Sequence, residues 1–323
     1  TGFVVENLNA LFGASIPVPV IALPIGISFY TFQALSYTVD VWRGDVPAQR
    51  SFAKFLLYIS LFPQLIAGPI VRYADVAGQI DARSFDAADA FYGATRFCIG
   101  LAKKVLLADA AGKVAAQILD GSAASATTAA AWLGIVLYTF EIYFDFSGYS
   151  DMAIGMGRIF GFKYPENFRL PYTSRSITEF WRRWHISLGS FFRDYVYIPL
   201  GGSRCSAAKK DRNLILTFLV SGLWHGAGLT YLVWGGLHGV CQAVENHLPH
   251  RRSGKLRHAL RVLGTFCILA GLFMIFRASS LGNAATVFKG ILFNGGHAVF
   301  SNYWELGLTS RLEQLMLFAG IAI

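Results

Sequence analysis

Apolar positions fill this chain in long charge-free stretches, and the charges that interrupt them mark its organisation. Asn7–Val39 carries no charge, and its later part, Ile21–Thr38, is apolar enough to span a bilayer, with Pro24 and Gly26 placed to kink it. Phe55–Val71 is a 17-residue run, a minimal span, broken by Pro63 and the Gly68-Pro69 pair. Gly121–Phe140 gives 20 residues ending in the apolar block Trp132–Phe140, and Val262–Phe276 gives 15 between Arg261 and Arg277. In Phe91–Leu119, Lys103, Lys104, Asp109 and Lys113 punctuate an apolar pattern. That pattern fits an interfacial or partly buried helix better than a lipid-facing one.

The most informative stretch is Asn213–Val244, 32 residues without a formal charge. As one helix it would measure about 48 Å, well beyond a hydrocarbon core of ~30 Å. Both flanks are basic: Arg204, Lys209, Lys210 and Arg212 precede it, and Arg251, Arg252, Lys255 and Arg257 follow it. If both flanks prefer the cytoplasm, the segment enters and returns, and Gly226-Ala227-Gly228 is the natural break. A re-entrant pair of short helices is therefore expected, with one long tilted helix as the alternative.

Composition agrees with a membrane class. Of 323 residues, 54% are hydrophobic and only 15% charged, against roughly 25% charged in an average soluble domain. Too few polar groups exist to cover a soluble surface, and a disordered chain needs the opposite balance. The expected fold class is an all-α polytopic membrane protein. The net charge of +9 reads as positive-inside topology and contact with anionic headgroups of a lipid bilayer. No nucleic acid partner is expected, because the basic residues lie between apolar stretches. Cys98, Cys205, Cys241 and Cys267 form no CxxC pair and give neither a disulfide framework nor a metal site. The chain begins at Thr1 and ends in an apolar run, Leu315–Ile323. Residues 1–323 are thus expected to be a single transmembrane domain, incomplete at both ends.

Candidate chemistry concentrates in two places. His225 and His238 each sit inside a GxxxG, Gly222/Gly226 and Gly235/Gly239, where glycines let helix backbones approach closely. Each histidine is either a polar packing residue or a functional group, since ionisable side chains inside membranes are costly. They lie 13 positions apart, which on a straight helix is about 140° of rotation and nearly 20 Å of rise. They share one site only if the helix breaks, and spacing alone does not choose between them. No GxSxG, HExxH or P-loop is present, so a histidine base acting on a bound alcohol is the simplest enzymatic scheme.

The second place is Ser176–Arg204, where Phe180, Trp181, Trp184, Phe191 and Phe192 interleave with Arg182, Arg183 and Arg193. It reads equally as an amphipathic interfacial helix with snorkelling arginines or as a site for an anionic ligand such as the phosphates of a thioester carrier. Asp145 and Asp151 follow an apolar block directly and read first as hydrogen-bonded helix carboxylates.

Five segments recur together in family order across roughly residues 20 to 280: Leu23-Pro24-Ile25-Gly26-Ile27-Ser28-Phe29-Tyr30, Phe62-Pro63-Gln64-Leu65-Ile66-Ala67-Gly68-Pro69, Phe144-Asp145-Phe146-Ser147-Gly148-Tyr149-Ser150-Asp151, Phe180-Trp181-Arg182-Arg183-Trp184-His185, and Leu223-Trp224-His225-Gly226. Together they resemble the membrane-bound O-acyltransferase (MBOAT) family, most closely its bacterial alginate O-acetyltransferase branch. The resemblance implies a multi-helix bundle with re-entrant or broken helices around a central tunnel. It implies an inner-membrane, multi-pass O-acyltransferase (an acetyltransferase) that moves an acetyl group from a cytoplasmic thioester toward hydroxyls of an exported polysaccharide. The donor would be acetyl-CoA or another acyl thioester, with no metal. The partners would be the polysaccharide acceptor and periplasmic polysaccharide acetylation proteins of alginate biosynthesis. His225 takes the place of the family's invariant catalytic histidine and His185 that of a second polar active-site residue. His238 matches a recurrent position without a catalytic assignment. Arg182, Arg183 and Arg193 are the expected donor or tunnel contacts. D-alanyl transfer to teichoic acid and peptidoglycan O-acetylation are the alternatives within this chemistry. A secondary transporter or a structural synthase subunit is the alternative outside it.

Overall fold

The computed structural model describes residues 26–65, 68–121, 127–249 and 254–295, with a few positions between 5 and 17. Every regular element among the described residues is helical. In chain order they are α1 (Ile27–Arg43), α2 (Phe52–Ser60), α3 (Phe62–Leu65), α4 (Tyr73–Asp81), α5 (Ala87–Ala102) and α6 (Asp109–Ala116). Then come α7 (Thr128–Ile159), α8 (Ile177–Trp181), α9 (Ile186–Phe192), α10 (Ala207–His225), α11 (Leu229–His247), α12 (Lys255–Arg277) and α13 (Leu281–Phe293). Wide turns at Lys103–Ala108, Gln117–Gly121 and Arg193–Tyr197 extend α5, α6 and α9.

Among the described residues two helices, α7 with 32 residues and α12 with 23, are long and apolar enough to cross a membrane. The expected span Val262–Phe276 lies inside α12. The span expected at Gly121–Phe140 is displaced. Its helix starts where the Thr127 side chain caps the Ala130 N–H and runs on to Ile159, because the carboxylates of Asp145 and Asp151 are neutralised. Asp151 pairs with Arg96 at 2.8 Å and Lys103 at 2.6 Å, and Asp145 with Lys104 at 2.7 Å. The helix-carboxylate reading of both residues therefore holds. Phe55–Val71 is not a span. Its helix ends at Ser60, Phe62 and Pro63 open only the short α3, and the backbone at Gly68 and Pro69 is irregular. The first apolar stretch yields α1, with Gly26 in the left-handed region (φ 79°) at its start. Pro24, expected to kink it, lies outside the described residues.

Backbone-to-backbone packing holds the bundle at two seams. On α5 and α7, Gly93 meets Gly155 and Gly100 meets Gly148. A Cβ on Gly93, Gly100 or Gly155 would stand 2.5 Å from the opposing carbonyl oxygen. This makes Phe91–Leu119 a partly buried helix, as expected. The second seam joins α10 and α11 around Gly222, Gly235 and Gly239. Both helices of this hairpin bury polar groups and expose apolar ones. Asn213, Thr217, Ser221, His238 and Gln242 face inward, while Leu216, Val220, Leu223, Leu237, Val240 and Val244 are exposed. That inversion suits a helix pair surrounded by lipid rather than water.

Candidate functional site

The charge-free stretch breaks where its glycines are. α10 ends at His225, Gly226-Ala227-Gly228 turns the chain, and α11 starts at Leu229. One long helix is excluded. Gly226 is required by space, because a Cβ there would stand 2.4 Å from the Tyr231 ring. The return brings His225 and His238 to the same indole. Trp234 touches His225 with ring centroids 5.2 Å apart and His238 at 4.8 Å. The separation imposed by a straight helix is thereby removed.

His225 occupies the last residue of α10, clasped by Trp224, Trp234 and Phe276. Trp224 in turn packs on Phe32 of α1 at 5.1 Å. The His225 imidazole makes ring contacts only and has no hydrogen bond to the described residues. His238 is fully buried, and its Nδ1 accepts from the Trp181 indole N–H at 3.1 Å. An indole nitrogen only donates, so the His238 proton resides on Nε2, which has no partner among the described residues.

His185 lies at the junction of α8 and α9 in a left-handed conformation (φ 43°, ψ 55°). It is 2% exposed, its Nδ1 is 3.1 Å from Asn167 Oδ1, and its Nε2 has no partner among the described residues. Phe146 meets its ring edge-on at 4.6 Å. Neither ring nitrogen of His185 is hydrogen-bonded to His225.

Ser176–Arg204 is neither one interfacial helix nor a surface belt of aromatics. Phe180, Trp184, Phe191 and Phe192 are buried in the bundle, and the chain around them is two short helices and a wide turn. Between this segment and the α10–α11 hairpin lies a cavity of about 530 Å³, a size typical of small-molecule sites. Its rim carries Arg182, Arg193 and Lys210; its buried polar floor carries Thr217, Ser221 and Gln242. Ser221 is one helical turn before His225 and Gln242 one turn after His238, so the floor lies on the same helix faces as the two histidines. Trp181 and Phe218 line the cavity and pack against His238.

The three arginines separate. Arg182 lines the cavity, and its guanidinium has no hydrogen-bond or ion-pair partner among the described residues. Arg193 lines it too, but its guanidinium is bonded to Asp194. Burial pushes the Asp194 carboxyl up, yet Arg193 and Arg72 beside it hold it below the usual carboxylate range, so it stays an anion that offsets Arg193. Arg183 does not line the cavity; it pairs with Glu179 at 2.6 Å and donates to Thr173 at 2.9 Å. Asn167 and Trp181, which hold the two buried histidines, were not singled out in the sequence. Asn167 sits in an irregular segment with no periodicity to mark it, and Trp181 reads as one aromatic among several.

Residues 27–275 match the profile of MBOAT, the membrane-bound O-acyltransferase family. The chain is 45% identical over 312 residues to the probable alginate O-acetylase AlgI of Pseudomonas fluorescens, covering 95% of this chain and 62% of that protein. It is 37% identical over 322 residues to the peptidoglycan O-acetyltransferase of Helicobacter pylori, covering 90% of this chain and 61% of that protein. With the teichoic acid D-alanyltransferase of Bacillus subtilis it shares 31% over 236 residues, 69% of this chain and 58% of that protein. The chain thus spans about three fifths of the length of the curated relatives it matches.

Proposed function

The chain belongs to the membrane-bound O-acyltransferase family, and from that premise we propose that it is the membrane-embedded portion of an O-acetyltransferase serving an exported polysaccharide such as alginate. The acetyl donor is a cytoplasmic thioester, acetyl-CoA or another acyl thioester, and the site is in the bacterial inner membrane in a multi-pass protein. The proteins that complete the transfer are periplasmic polysaccharide acetylation partners. Identity supports this acceptor class over the two alternatives: 45% with the alginate relative against 37% and 31% with the peptidoglycan and teichoic acid relatives.

One observation carries the chemical reading. His225 stands at the break of the α10–α11 hairpin with an imidazole that makes no hydrogen bond to the described residues, one turn from a cavity with a cationic rim. In the proposed reaction the acceptor hydroxyl loses its proton to His225 as its oxygen attacks the thioester carbonyl carbon. The new C–O ester bond forms, the C–S bond breaks, and the leaving thiolate takes up the proton. Arg182 meets the anionic part of the donor at the rim.

The test uses the full-length parent protein in membrane vesicles with radiolabelled acetyl-CoA and its native partner proteins. His225→Ala at matched membrane level is expected to abolish label transfer, a fall of at least ~10³-fold for loss of a general base in a concerted site. Undiminished transfer by that variant would remove His225 from the chemistry.

A further inference from the structure

Asn167 has no part in the reaction above, yet four hydrogen bonds converge on its side-chain amide. Oδ1 accepts from the Ser187 backbone N–H at 3.2 Å and the Ser187 hydroxyl at 2.9 Å, and faces His185 Nδ1 at 3.1 Å. Nδ2 donates to Ser150 Oγ at 3.0 Å. A backbone N–H only donates, so the amide atom facing it is the oxygen, and the orientation of Asn167 is fixed. Ser187 is fixed as well. Its Oγ accepts from the Ile70 N–H at 2.9 Å, and its own proton goes to Asn167. The alternative donation from Ser187 to His185 Nδ1 spans 3.5 Å and would leave two lone pairs facing each other between Nδ1 and Oδ1. His185 Nδ1 therefore carries the ring proton, and Nε2 is a bare lone pair, buried and without a partner among the described residues.

The main chain is held by the same residue. The Asn167 carbonyl accepts from the Ile186 N–H at 2.9 Å, directly after the left-handed His185. A non-glycine residue in that region costs roughly 1 kcal/mol and persists only where its surroundings hold it. Phe146 and Phe168 pack on the ring and limit its rotation.

We propose that Asn167 is a positioning residue: it holds His185 as the Nδ1–H tautomer so that the bare Nε2 accepts a hydrogen bond from a second hydroxyl of the acceptor, beside the one whose proton goes to His225. A bare nitrogen does not polarise a carbonyl, so His185 serves the hydroxyl substrate rather than the thioester. The tautomer follows from the geometry alone; the substrate half rests on the acyltransferase reading above.

The experiment takes the full-length protein in bilayers with ¹⁵N-labelled histidine, the His185 signals being assigned by their loss in His185→Gln. The expected wild-type pattern is a protonated Nδ1 and a bare Nε2. Asn167→Leu should scramble that pattern and lower acyl transfer roughly 10-fold or more at matched membrane level, the usual cost of losing a histidine-orienting partner. Asn167→Asp keeps an acceptor opposite Nδ1 and should retain both the pattern and most of the transfer, which separates positioning from loss of the fold. A protonated Nε2 in the wild type, or a pattern indifferent to Asn167→Leu, overturns the proposal. So does a scrambled pattern with unchanged transfer. A wild type with the expected pattern but no acyl transfer overturns the acyltransferase reading instead, so the two failures are distinguishable.

Discussion

His185 and His238 are both buried, both bonded through Nδ1, and both left with an Nε2 that has no partner among the described residues. They nevertheless carry opposite tautomers. His238 faces an indole donor inside a cage of Trp181, Phe218 and Trp234, so its outward nitrogen bears a proton. His185 faces an amide acceptor inside a knot of Asn167, Ser187 and Ser150, so its outward nitrogen is bare. The cage around His238 is assembled mainly from helix faces at periodic positions. The knot around His185 is assembled where the backbone is least regular, from an Asn in the loop before α8 and a left-handed turn between α8 and α9. The same side chain becomes a donor or an acceptor according to which kind of chain surrounds it.

The largest expected effect comes from removing the cage altogether. A Cβ at Gly235 would stand 2.3 Å from the Phe218 carbonyl oxygen. Gly235→Val forces α10 and α11 apart at a backbone contact that cannot yield, at or above the ~3 kcal/mol upper range of ordinary overpacking. Loss of the protein from the membrane fraction is expected. Its neighbour is the control: a Cβ at Gly236 finds its nearest atom, the tip of Leu219, at 3.4 Å. Gly236→Ala should accumulate as wild type does. Equal accumulation of both variants would show that the hairpin seam tolerates separation.

A smaller effect tests the cage while keeping its shape. Trp181→Phe retains a ring against His238 and deletes the donor to its Nδ1, leaving a buried acceptor unpaired at a cost of about 1–3 kcal/mol. Thermal unfolding in detergent should begin earlier, while the transfer rate at saturating donor stays within about threefold of wild type. This is the reverse of the pattern expected at Asn167, where the loss falls on transfer. A large fall in the saturated rate of Trp181→Phe would place His238 in the chemistry beside His225.

What the sequence revealed follows the same division. The break at Gly226-Ala227-Gly228 was legible because the charge-free run was too long for one crossing and its flanks matched. The glycine seam was legible from the two GxxxG spacings. The sharing of Trp234 by His225 and His238 follows once the break is granted, although spacing alone left it open. Other features were hidden. Phe55–Val71 reads as a minimal span broken at Pro63 and Gly68-Pro69; the breaks were legible, but not that they leave too little continuous helix for a crossing. The aromatic–arginine pattern of Ser176–Arg204 suggested one helical face, while a left-handed residue at His185 splits it, and no side chain announces that conformation as a glycine would. Asn167 was hidden because its partners, Ser150, His185 and Ser187, are joined by three-dimensional packing and not by any repeat.

The smallest expected effect lies at the cavity rim, where three arginines that look alike in sequence differ in what they are bonded to. The Arg182 guanidinium has no partner among the described residues, Arg193 is offset by Asp194, and Arg183 is committed to Glu179 and Thr173 away from the cavity. An exposed charge contributes only ~1 kcal/mol to binding an anionic ligand, because water and salt screen it. Arg182→Ala should therefore raise the KM for the thioester roughly three- to tenfold with kcat nearly unchanged, the signature of a contact made equally before and during reaction. The effect should shrink as salt is raised. Arg193→Ala should change KM less, since it also leaves Asp194 paired only with Arg72. Arg183→Ala should leave KM alone and show its cost in stability. If Arg183→Ala raised KM as much as Arg182→Ala does, the donor would have to approach from the Glu179 side, and the cavity would lose its claim to the anionic group.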